Sequence, residues 1–415
     1  MSAGSDWVTR PAHRAWLMAE ARRLIDFFVP AAIDPAGGFF ALGADGRPRP
    51  RPSVRHLHET ARMVHCAAIA DLLGLPGAAE ALDHGMDYLW RAHRDPVRGG
   101  YAWAMGDDGP LDATRMAYGH AFVLLAGASA KLAGHPDADR LIGDATEVLW
   151  ARFWEDGPGA VAEDFTPDWA EVAPYRGQNA NMHLAEALMA AFEATGERPY
   201  LDRATRIAGL IVNRHARAAG WRVPEHYTPA WQVDRAYAGD PMFRPAGTTP
   251  GHALEWARLM VQMWHLTGRK DGWMTEAAEG LFATACARGW APEGGFYYTL
   301  GWDDRPDRAE RFWWPCAEGI GAAAVLRAAL ATDAAEDWYR RIWGFVARRL
   351  IDRQGGGWFP ELGRDLAPVA TVFRGRPDLY HALQACLIPL LPPDRSIVAG
   401  LARAASGDDS TRFAI

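Results

Sequence analysis

Short segments rich in glycine and aromatic residues recur along this 415-residue chain, and their spacing is the feature that most constrains its fold. Successive segments start 62, 60, 61, 74 and 62 residues apart, at Gly37, Gly99, Gly159, Gly220, Gly294 and Gly356. Glycine permits the positive φ angles of tight turns, and alternating aromatic residues suit short strands. The period therefore predicts six β-hairpins or extended loops that divide the chain into repeats.

Helical patterns lie in pairs between these loops, as in residues 57–73 followed by 77–93. The first helix of a pair is apolar nearly all round, whereas the second carries charged residues on one face. This contrast indicates an inner helix packed on every side and an outer, half-solvated one. We predict an all-α fold, an (α/α)6 barrel of six helical hairpins with short β-hairpin loops. It is one domain, 1–415, with the barrel over about 16–391 and a C-terminal tail at 392–415.

Histidines stand near the starts of the predicted inner helices. Alignment of these helices places five of them and one proline at an equivalent position: His58, His120, His183, His252, Pro315 and His381. Glu186, Glu255, Glu318 and Gln384 follow three residues later, one turn further along the same face. Because inner-helix N-termini converge in such a barrel, we expect these side chains to line one pocket.

Two other interpretations of the histidines are open. The first is structural: any one of these histidines, taken singly, is compatible with an ordinary buried imidazole. The second is a metal centre, because histidine is the commonest ligand of transition metals. No H-E-x-x-H motif occurs, however, and histidines about sixty residues apart meet only through the fold. We therefore predict no metal and no cofactor.

Composition and charge limit the classes of partner and the cellular location that we expect. The 51 acidic and 44 basic residues leave a net charge of −7, which argues against a nucleic-acid partner. The start of the chain lacks an apolar signal core, and no long uncharged apolar segment follows, so we expect no membrane span and a cytoplasmic location. The scattered cysteines are interpreted as buried core thiols: Cys66, Cys286, Cys316 and Cys386.

A ring of histidines suits proton transfer at carbon. Imidazole changes charge near neutral pH, so two histidines can exchange protons with a carbon beside a carbonyl group, as in an open-chain sugar. Arg62 and Arg176 suit a developing enediolate oxygen, and Asn179, Asn181 and Glu255 suit hydroxyl groups. The aromatic candidates for stacking on sugar rings are Tyr118, Tyr175, Trp231, Trp302, Trp313, Trp314 and Phe373. The residues predict a pocket that acts on a small-molecule sugar.

Four motifs carry a family resemblance: YRGQNANMHLAEA from Tyr175, TPGHALEWARLM from Thr249, WWPCAEG from Trp313 and DLYHAL from Asp378. They resemble the N-acylglucosamine 2-epimerase superfamily, and within it the aldose–ketose isomerase branch of mannose and sulfoquinovose isomerases. The resemblance extends over about 16–391. It implies an (α/α)6 barrel, in agreement with the repeats, and a cofactor-independent isomerase.

The resemblance also implies roles for single residues. His252 and His381 match the acid/base pair, and Arg62 matches an arginine that contacts substrate near the reacting carbons. The substrate-binding candidates are Tyr118, Asn179, His183, Glu225, Glu255, Trp314 and, from the helix repeat, Glu318. His58 stands where this branch is expected to carry tryptophan. Met242 and Pro377 stand where sulfoquinovose-type members carry Arg and Gln, which favours a neutral hexose over a sulfonate, although Arg176 and Arg244 remain candidates for binding an anion.

The resulting prediction is an isomerase that interconverts an aldohexose and a ketohexose, D-mannose and D-fructose above all, through a cis-enediol. Within the superfamily the alternatives are sulfoquinovose isomerisation and 2-epimerisation of a hexose, an N-acylhexosamine or cellobiose. An (α/α)6 glycoside hydrolase is the alternative of another class, with carboxylate candidates Glu225, Glu255, Glu318 and Asp378. A non-catalytic sugar-binding protein is a further one. We expect a monomer or a homodimer.

Overall fold

The computed structural model describes residues 6–240 and 244–407, in which alternating inner and outer helices form a closed barrel. The inner helices are α2 (Leu57–Leu72), α4 (Ala117–Leu132), α6 (Gln178–Thr195), α8 (Pro250–Leu266), α10 (Trp313–Leu330) and α12 (Tyr380–Leu387). The outer helices are α1 (Pro11–Ala32), α3 (Ala78–Tyr88), α5 (Ala138–Val148), α7 (Arg198–Ala208), α9 (Gly272–Gly289) and α11 (Asp333–Arg349). The predicted (α/α)6 fold is confirmed.

Burial follows the predicted contrast between the two layers. In α4 every residue from Ala117 to Ala130 except Tyr118 is buried, because neighbouring inner helices and α5 cover it on all sides. In α5 only the stripe Ala138, Leu141, Ile142, Ala145 and Val148 is buried. The barrel closes between the chain's two ends, since α1 packs against α12 and α12 contacts α2. The sixth hairpin is therefore built from the first and last helices of the barrel.

Small antiparallel sheets join successive repeats. Short strands just before inner helices pair with the loop that follows the next outer helix: β1 (Arg55–His56) with β2 (Ala104–Met105), β4 (Arg115–Met116) with β7 (Asp164–Phe165), β8 (Arg176–Gly177) with β9 (His226–Tyr227), and β12 (Arg311–Phe312) with β13 (Glu361–Leu362). Single bridges, Thr248 with Leu300 and Leu42 with Arg376, complete the ring. The remaining strands belong to local hairpins: β3 (Pro110–Asp112), β5 (Trp154–Glu155), β6 (Ala160–Val161), β10 (Thr299–Leu300) and β11 (Pro306–Arg308).

We call the pairing between the segment before an inner helix and the loop after the next outer helix the linkage of that repeat. In five repeats its first residue is a buried arginine. Each arginine forms an ion pair with a carboxylate in the loop after the preceding outer helix: Arg55 with Asp34, Arg115 with Asp95, Arg176 with Glu155, Arg311 with Glu293 and Arg376 with Asp352. All five arginines are at most 6% exposed. The fourth repeat has Thr248 at this position. The pairs fix where each of these inner helices begins relative to the outer layer.

The recurring glycines make room for the arginines. A Cβ atom on Gly38 would lie 2.9 Å from Cδ of Arg55, and one on Gly295 would lie 2.6 Å from Cγ of Arg311. Both glycines also have positive φ, 71° and 76°, which other residues adopt at a cost. In these two loops the recurring glycine therefore leaves the space that the arginine side chain needs.

A thirteenth helix, α13 (Ile397–Ser406), lies inside the segment predicted as a C-terminal tail. It buries Ile397, Val398 and Leu401 against the inner helices, and Ser396 caps its first turn by accepting a hydrogen bond from the Ala399 N–H. Residues 397–406 are thus part of the packed structure. No helix within the described ranges combines the length and apolarity needed to cross a bilayer.

Replacing Arg55 with alanine is expected to destabilise the fold. The carboxylate of Asp34 is 1% exposed, so the substitution removes a buried ion pair and leaves Asp34 to the partly exposed Arg51, at a cost of about 2 kcal/mol. Arg47→Ala is the matched control, because Arg47 lies in the same loop region but its side chain is 86% exposed. The control is expected to change the free energy of unfolding by less than about 0.5 kcal/mol. Urea unfolding of both variants measures this, and equal effects would contradict the role given to Arg55.

Candidate active site

A cavity of about 420 Å³ opens at the N-terminal ends of the inner helices. Its walls include eight of the ten residues predicted for the site: Arg62, Tyr118, Asn179, His183, His252, Glu255, Trp314 and His381. All eight lie in the first two turns of an inner helix. Helices that come from distant parts of the chain therefore bring the predicted polar side chains to one place.

His252 on α8 is held by a buried carboxylate. Its Nδ1 lies 2.9 Å from Oε2 and 3.0 Å from Oε1 of Glu225, and Gln178 donates to the same carboxylate. Burial raises the pKa of Glu225, but the attraction of His252 and these hydrogen bonds outweigh it and lower the pKa overall. An ionised carboxylate only accepts, so Nδ1 of His252 carries a proton and Nε2 is left for the cavity.

His381 on α12 is held in the same way. Its Nδ1 donates to Oε1 of Glu318 at 2.8 Å, and Arg258 donates through Nε to the other oxygen at 3.1 Å. Burial raises the pKa of Glu318, but the charge of Arg258 and the hydrogen bond from His381 lower it overall. The site thus contains two imidazoles that are oriented through Nδ1 and present Nε2 as an acid or a base.

The indole of Trp314 lies between these two imidazoles. The ring centroids are 5.1 Å apart for His252 and Trp314, and 5.8 Å apart for His381 and Trp314. Gly251 allows this arrangement, because a Cβ atom there would lie 2.3 Å from the indole ring. The two histidines and the indole therefore form one continuous surface of the cavity.

Arg62 supplies a positive charge at the cavity. Its guanidinium donates to Asp378 at 2.7 Å and to the hydroxyl of Tyr118 at 3.0 Å. The rings of Phe122 and Tyr380 pack against it, with centroids 4.4 Å and 4.8 Å from its Cζ. A cation fixed in this way is preorganised to stabilise negative charge on a substrate oxygen.

His58 forms the wall where tryptophan was expected. Its ring stacks on Trp103, with centroids 4.9 Å apart and planes inclined by 10°. Trp103 comes from the loop that follows α3 and packs against His58, and it is not among the residues that line the described cavity. Met242 and Pro377 are the two departures from the sulfoquinovose type. Met242 lies outside the described residues, and Pro377 lines the cavity.

Two predicted substrate-binding residues stand behind the histidines instead of on the cavity surface. Glu225 and Glu318 face Nδ1 of His252 and His381, which makes them positioning groups in this structure. Arg176 is engaged by Glu155 and Glu171, away from the cavity. Of the predicted stacking residues, Tyr118, Trp313, Trp314 and Phe373 line the cavity, whereas Tyr175, Trp231 and Trp302 do not.

The histidines do not share one structural position, contrary to the alignment. The reference in each repeat is the arginine that precedes the inner helix, or Thr248 in the fourth repeat. His58 lies three residues after its reference, His252 four, His120 and His381 five, and His183 seven. His120 turns away from the cavity although His381 has the same count, because α4 begins at Ala117, directly after its strand, whereas α12 begins later, at Tyr380. Its Nδ1 donates to the carbonyl of Met116 at 2.7 Å, and its Nε2 accepts from the Tyr101 N–H at 3.1 Å.

Gln178 and Arg258 were not predicted. Gln178 bridges Glu225 and the Trp256 indole, donating to the former at 2.9 Å and accepting from the latter at 2.9 Å. Arg258 joins Glu318 and Glu186. Both residues lie within the motifs of the family resemblance. Arg258 also stands one helical turn after Glu255, which was the available signal for it, whereas the spacing of Gln178 from His183 carries no such signal.

His183, Glu186 and Glu255 place potential metal ligands within 4.8 Å of one another. Arg258 already supplies a cation there, because its Nη2 lies 3.0 Å from Glu186 and 3.8 Å from Glu255. A divalent ion at this point would meet the guanidinium charge. The residues therefore fit an arginine-centred carboxylate cluster better than a metal site.

The buried neutral state of His120 makes a pH-dependence prediction. Burial lowers the pKa of His120 to about 4, from an ordinary value of 6.5. As the pH falls from 6.5 towards 4, the unfolded chain therefore gains a proton that the folded one does not, and stability present above 6.5 is lost. His120→Gln is expected to reduce the slope of unfolding free energy against pH by about 1.4 kcal/mol per unit in this window. An unchanged slope in urea unfolding would contradict a neutral, buried His120.

Comparisons with known proteins agree with this site. The family model of N-acylglucosamine 2-epimerase (GlcNAc 2-epimerase) matches residues 37–385. D-Mannose isomerase from Thermobifida fusca is 46% identical over 403 residues, which cover 95% of this chain and 98% of that protein. D-Mannose isomerase from Pseudomonas cannabina pv. alisalensis is 40% identical over 410 residues, with coverage of 96% and 97%.

A solved structure supports the same grouping. A crystal structure of D-mannose isomerase superposes with a TM-score of 0.86 at 34% identity, over 92% of this chain and 99% of that one. The family and the enzyme class predicted from the motifs, an intramolecular aldose–ketose isomerase, are confirmed by these matches. This chain belongs to the N-acylglucosamine 2-epimerase family.

Proposed function

We propose that this enzyme interconverts D-mannose and D-fructose. The observation that carries the proposal is the pair of imidazoles, His252 and His381, each held through Nδ1 by a buried carboxylate and each flanking Trp314. The relatives named D-mannose isomerase, at 46% and 40% identity over nearly the whole chain, support the choice of sugar.

The first step opens the pyranose ring. His252 donates a proton from Nε2 to the ring oxygen while a second group takes the proton of the anomeric hydroxyl. Glu225 keeps the opposite nitrogen of His252 protonated and stabilises the imidazolium that must exist before the transfer. The product is the open-chain aldose, in which the hydrogen on C2 is acidic because C1 is a carbonyl carbon.

The second step moves a proton between carbons. His381 takes the C2 proton through Nε2 and gives it back at C1, so that the intermediate is a cis-enediol. Glu318 stabilises the transient imidazolium, and Arg62 stabilises charge on the oxygen. The sugar is oxidised at C2 and reduced at C1 within one molecule. We therefore propose that the reaction needs no cofactor.

A neutral hexose suits the charges at this site. In the proposed mechanism Arg62 serves the oxygen of the reacting carbons, and the two other arginines that line the described cavity, Arg49 and Arg374, are exposed at its rim. Arg244, a candidate for an anionic group, forms an ion pair with Asp164 away from the cavity. Among the residues lining the described cavity, no buried cation is thus left to hold a sulfonate.

The carboxylates do not favour the hydrolase alternative. An inverting hydrolase needs an acid and a base that face the scissile bond from opposite sides. Here Glu225 and Glu318 face histidine nitrogens, and Asp378 faces Arg62. Each of these three groups already serves another side chain.

Product analysis with D-mannose, D-fructose and D-glucose tests the proposal. The wild-type enzyme is expected to interconvert mannose and fructose, and His252→Gln and His381→Gln are each expected to lower kcat by at least about 10²-fold, because each removes a positioned acid or base. His120→Gln is the matched control, since His120 lies on an inner helix outside the cavity.

Each other product would count against the proposal in its own way. Exchange of mannose with glucose without fructose would assign 2-epimerisation. Release of sugar from a glycoside would assign hydrolysis. Near-wild-type turnover by either site variant would remove that histidine from the mechanism.

A further inference from the structure

One carboxyl group at the cavity has no hydrogen-bond partner. Glu255 lies on α8, one turn after His252, lines the cavity and is 1% exposed. Both of its carboxyl oxygens are buried without a partner, and so is Nδ1 of His183, which lies 3.5 Å away. A buried ionised carboxylate without hydrogen bonds is strongly disfavoured. The position therefore selects a neutral side chain or one that a ligand completes.

The charges around Glu255 also favour the neutral form. Arg258 is shared by three carboxyl groups, and it donates to Glu318 at 3.1 Å and to Glu186 at 3.0 Å. Glu186 receives the hydroxyl of Tyr380 as well. Glu255 is left 3.8 Å from the guanidinium, beyond hydrogen-bond distance.

The remaining groups near Glu255 do not change this balance. Arg62 on α2 is engaged by Asp378. His183 on α6 is neutral, because burial and the charge of Arg62 lower its pKa to about 4. Burial raises the pKa of Glu255, and the neighbouring Glu318 and Glu186 raise it further, against the weaker opposing effects of Arg258 and Arg62. The missing hydrogen bonds, the burial and the neighbouring carboxylates thus all favour the protonated form of Glu255.

Isomerisation needs a second proton transfer besides the one between carbons. An aldose has its carbonyl at C1 and a hydroxyl on O2, whereas the ketose has a hydroxyl on O1 and its carbonyl at C2. A proton must therefore leave O2 and another must arrive at O1. A neutral carboxylic acid offers one O–H donor and one carbonyl acceptor side by side, which matches two adjacent oxygens.

We propose that Glu255, as a neutral carboxylic acid, carries this proton between O2 and O1 of the open-chain sugar. The inference rests on the proposed isomerase function and gives Glu255 a catalytic role beyond hydrogen bonding. His183 lies beside it, with Nδ1 3.5 Å from Oε1 of Glu255.

The steps balance without any other reactant. As His381 takes the C2 proton, the C2–H electrons form the C1–C2 double bond, and O1 takes the carboxyl proton of Glu255. The second oxygen of Glu255 then takes the proton of O2, the C2–O2 double bond forms, and the electrons of the carbon–carbon double bond take the proton of His381 at C1. Glu255 and His381 both return to their neutral forms.

Glu255→Gln tests the proposal, because glutamine keeps the size of the side chain, one donor and one acceptor but cannot pass on a proton. In deuterated water we expect fructose formation by this variant to fall by about 10²-fold. Exchange of the C2 hydrogen in recovered mannose is expected to fall much less, since His381 and Arg62 are intact. The ratio of exchange to isomerisation therefore rises. Parallel loss of both rates, or no loss of fructose formation, would overturn the proposal.

Glu255→Asp is the companion variant, because it keeps a carboxylic acid at a shorter reach. It is expected to turn over more slowly than wild type but with the wild-type ratio of exchange to isomerisation. A raised ratio in this variant would overturn the proposal.

Infrared spectroscopy of the wild-type enzyme gives a readout that does not depend on the glutamine variant folding. A protonated carboxylic acid band is expected at neutral pH, and it should shift in Glu255→Asp. Absence of this band from the wild type would overturn the proposal. Failure of the proposed function is distinct, because the wild type would then form no fructose from mannose.

Discussion

The ion pair between a buried arginine and a loop carboxylate is the interaction on which the rest of this structure depends. It recurs in five repeats, where it fixes the start of an inner helix against the outer layer. Side chains at the same number of residues after this start therefore come together inside the barrel. Arg62, His183, Glu255 and Glu318 each lie seven residues after the residue that starts the linkage in their repeat. The position of these candidate site residues is thus set by a structural repeat.

The one repeat of the described barrel that lacks this arginine is the repeat of α8, the helix that carries His252. Thr248 replaces the arginine before α8, and the next residue, Thr249, donates its backbone N–H to Glu225 at 3.2 Å. The same carboxylate holds His252. The repeat without the arginine is therefore the one in which a loop carboxylate orients a histidine.

The barrel was predictable because its signals are local and periodic. Glycine pairs such as Gly37 and Gly38 mark the loops, and the apolar inner helices mark the layers. The histidine alignment predicted the right end of the barrel but the wrong equivalence, since His120 faces Tyr101 and not the cavity. The arginines before the inner helices carry the structural period, and they were visible in the sequence. α13 was missed because it is only ten residues long and lies outside the period that predicted the other helices.

The pairing of groups within the site was not predictable in the same way. Glu225 reaches His252 from a loop, Glu318 reaches His381 from a neighbouring helix, and Trp103 reaches His58 from the loop after α3. These contacts depend on distances across the barrel, which no spacing along the chain encodes. The motifs of the family resemblance identified the histidines, but only the packed structure distinguishes a group that touches the cavity from one that orients it.

The central claim is that an imidazole moves the sugar's carbon-bound hydrogen as a proton. Its most direct test is to bring mannose and fructose to equilibrium with the wild-type enzyme in deuterated water and to locate deuterium by NMR. Repeated proton transfer through His381, which lines the open cavity, predicts deuterium at C2 of mannose and at one of the two hydrogen positions on C1 of fructose. Fully protiated C1 and C2 at equilibrium would show direct hydrogen migration between the carbons and would contradict the account.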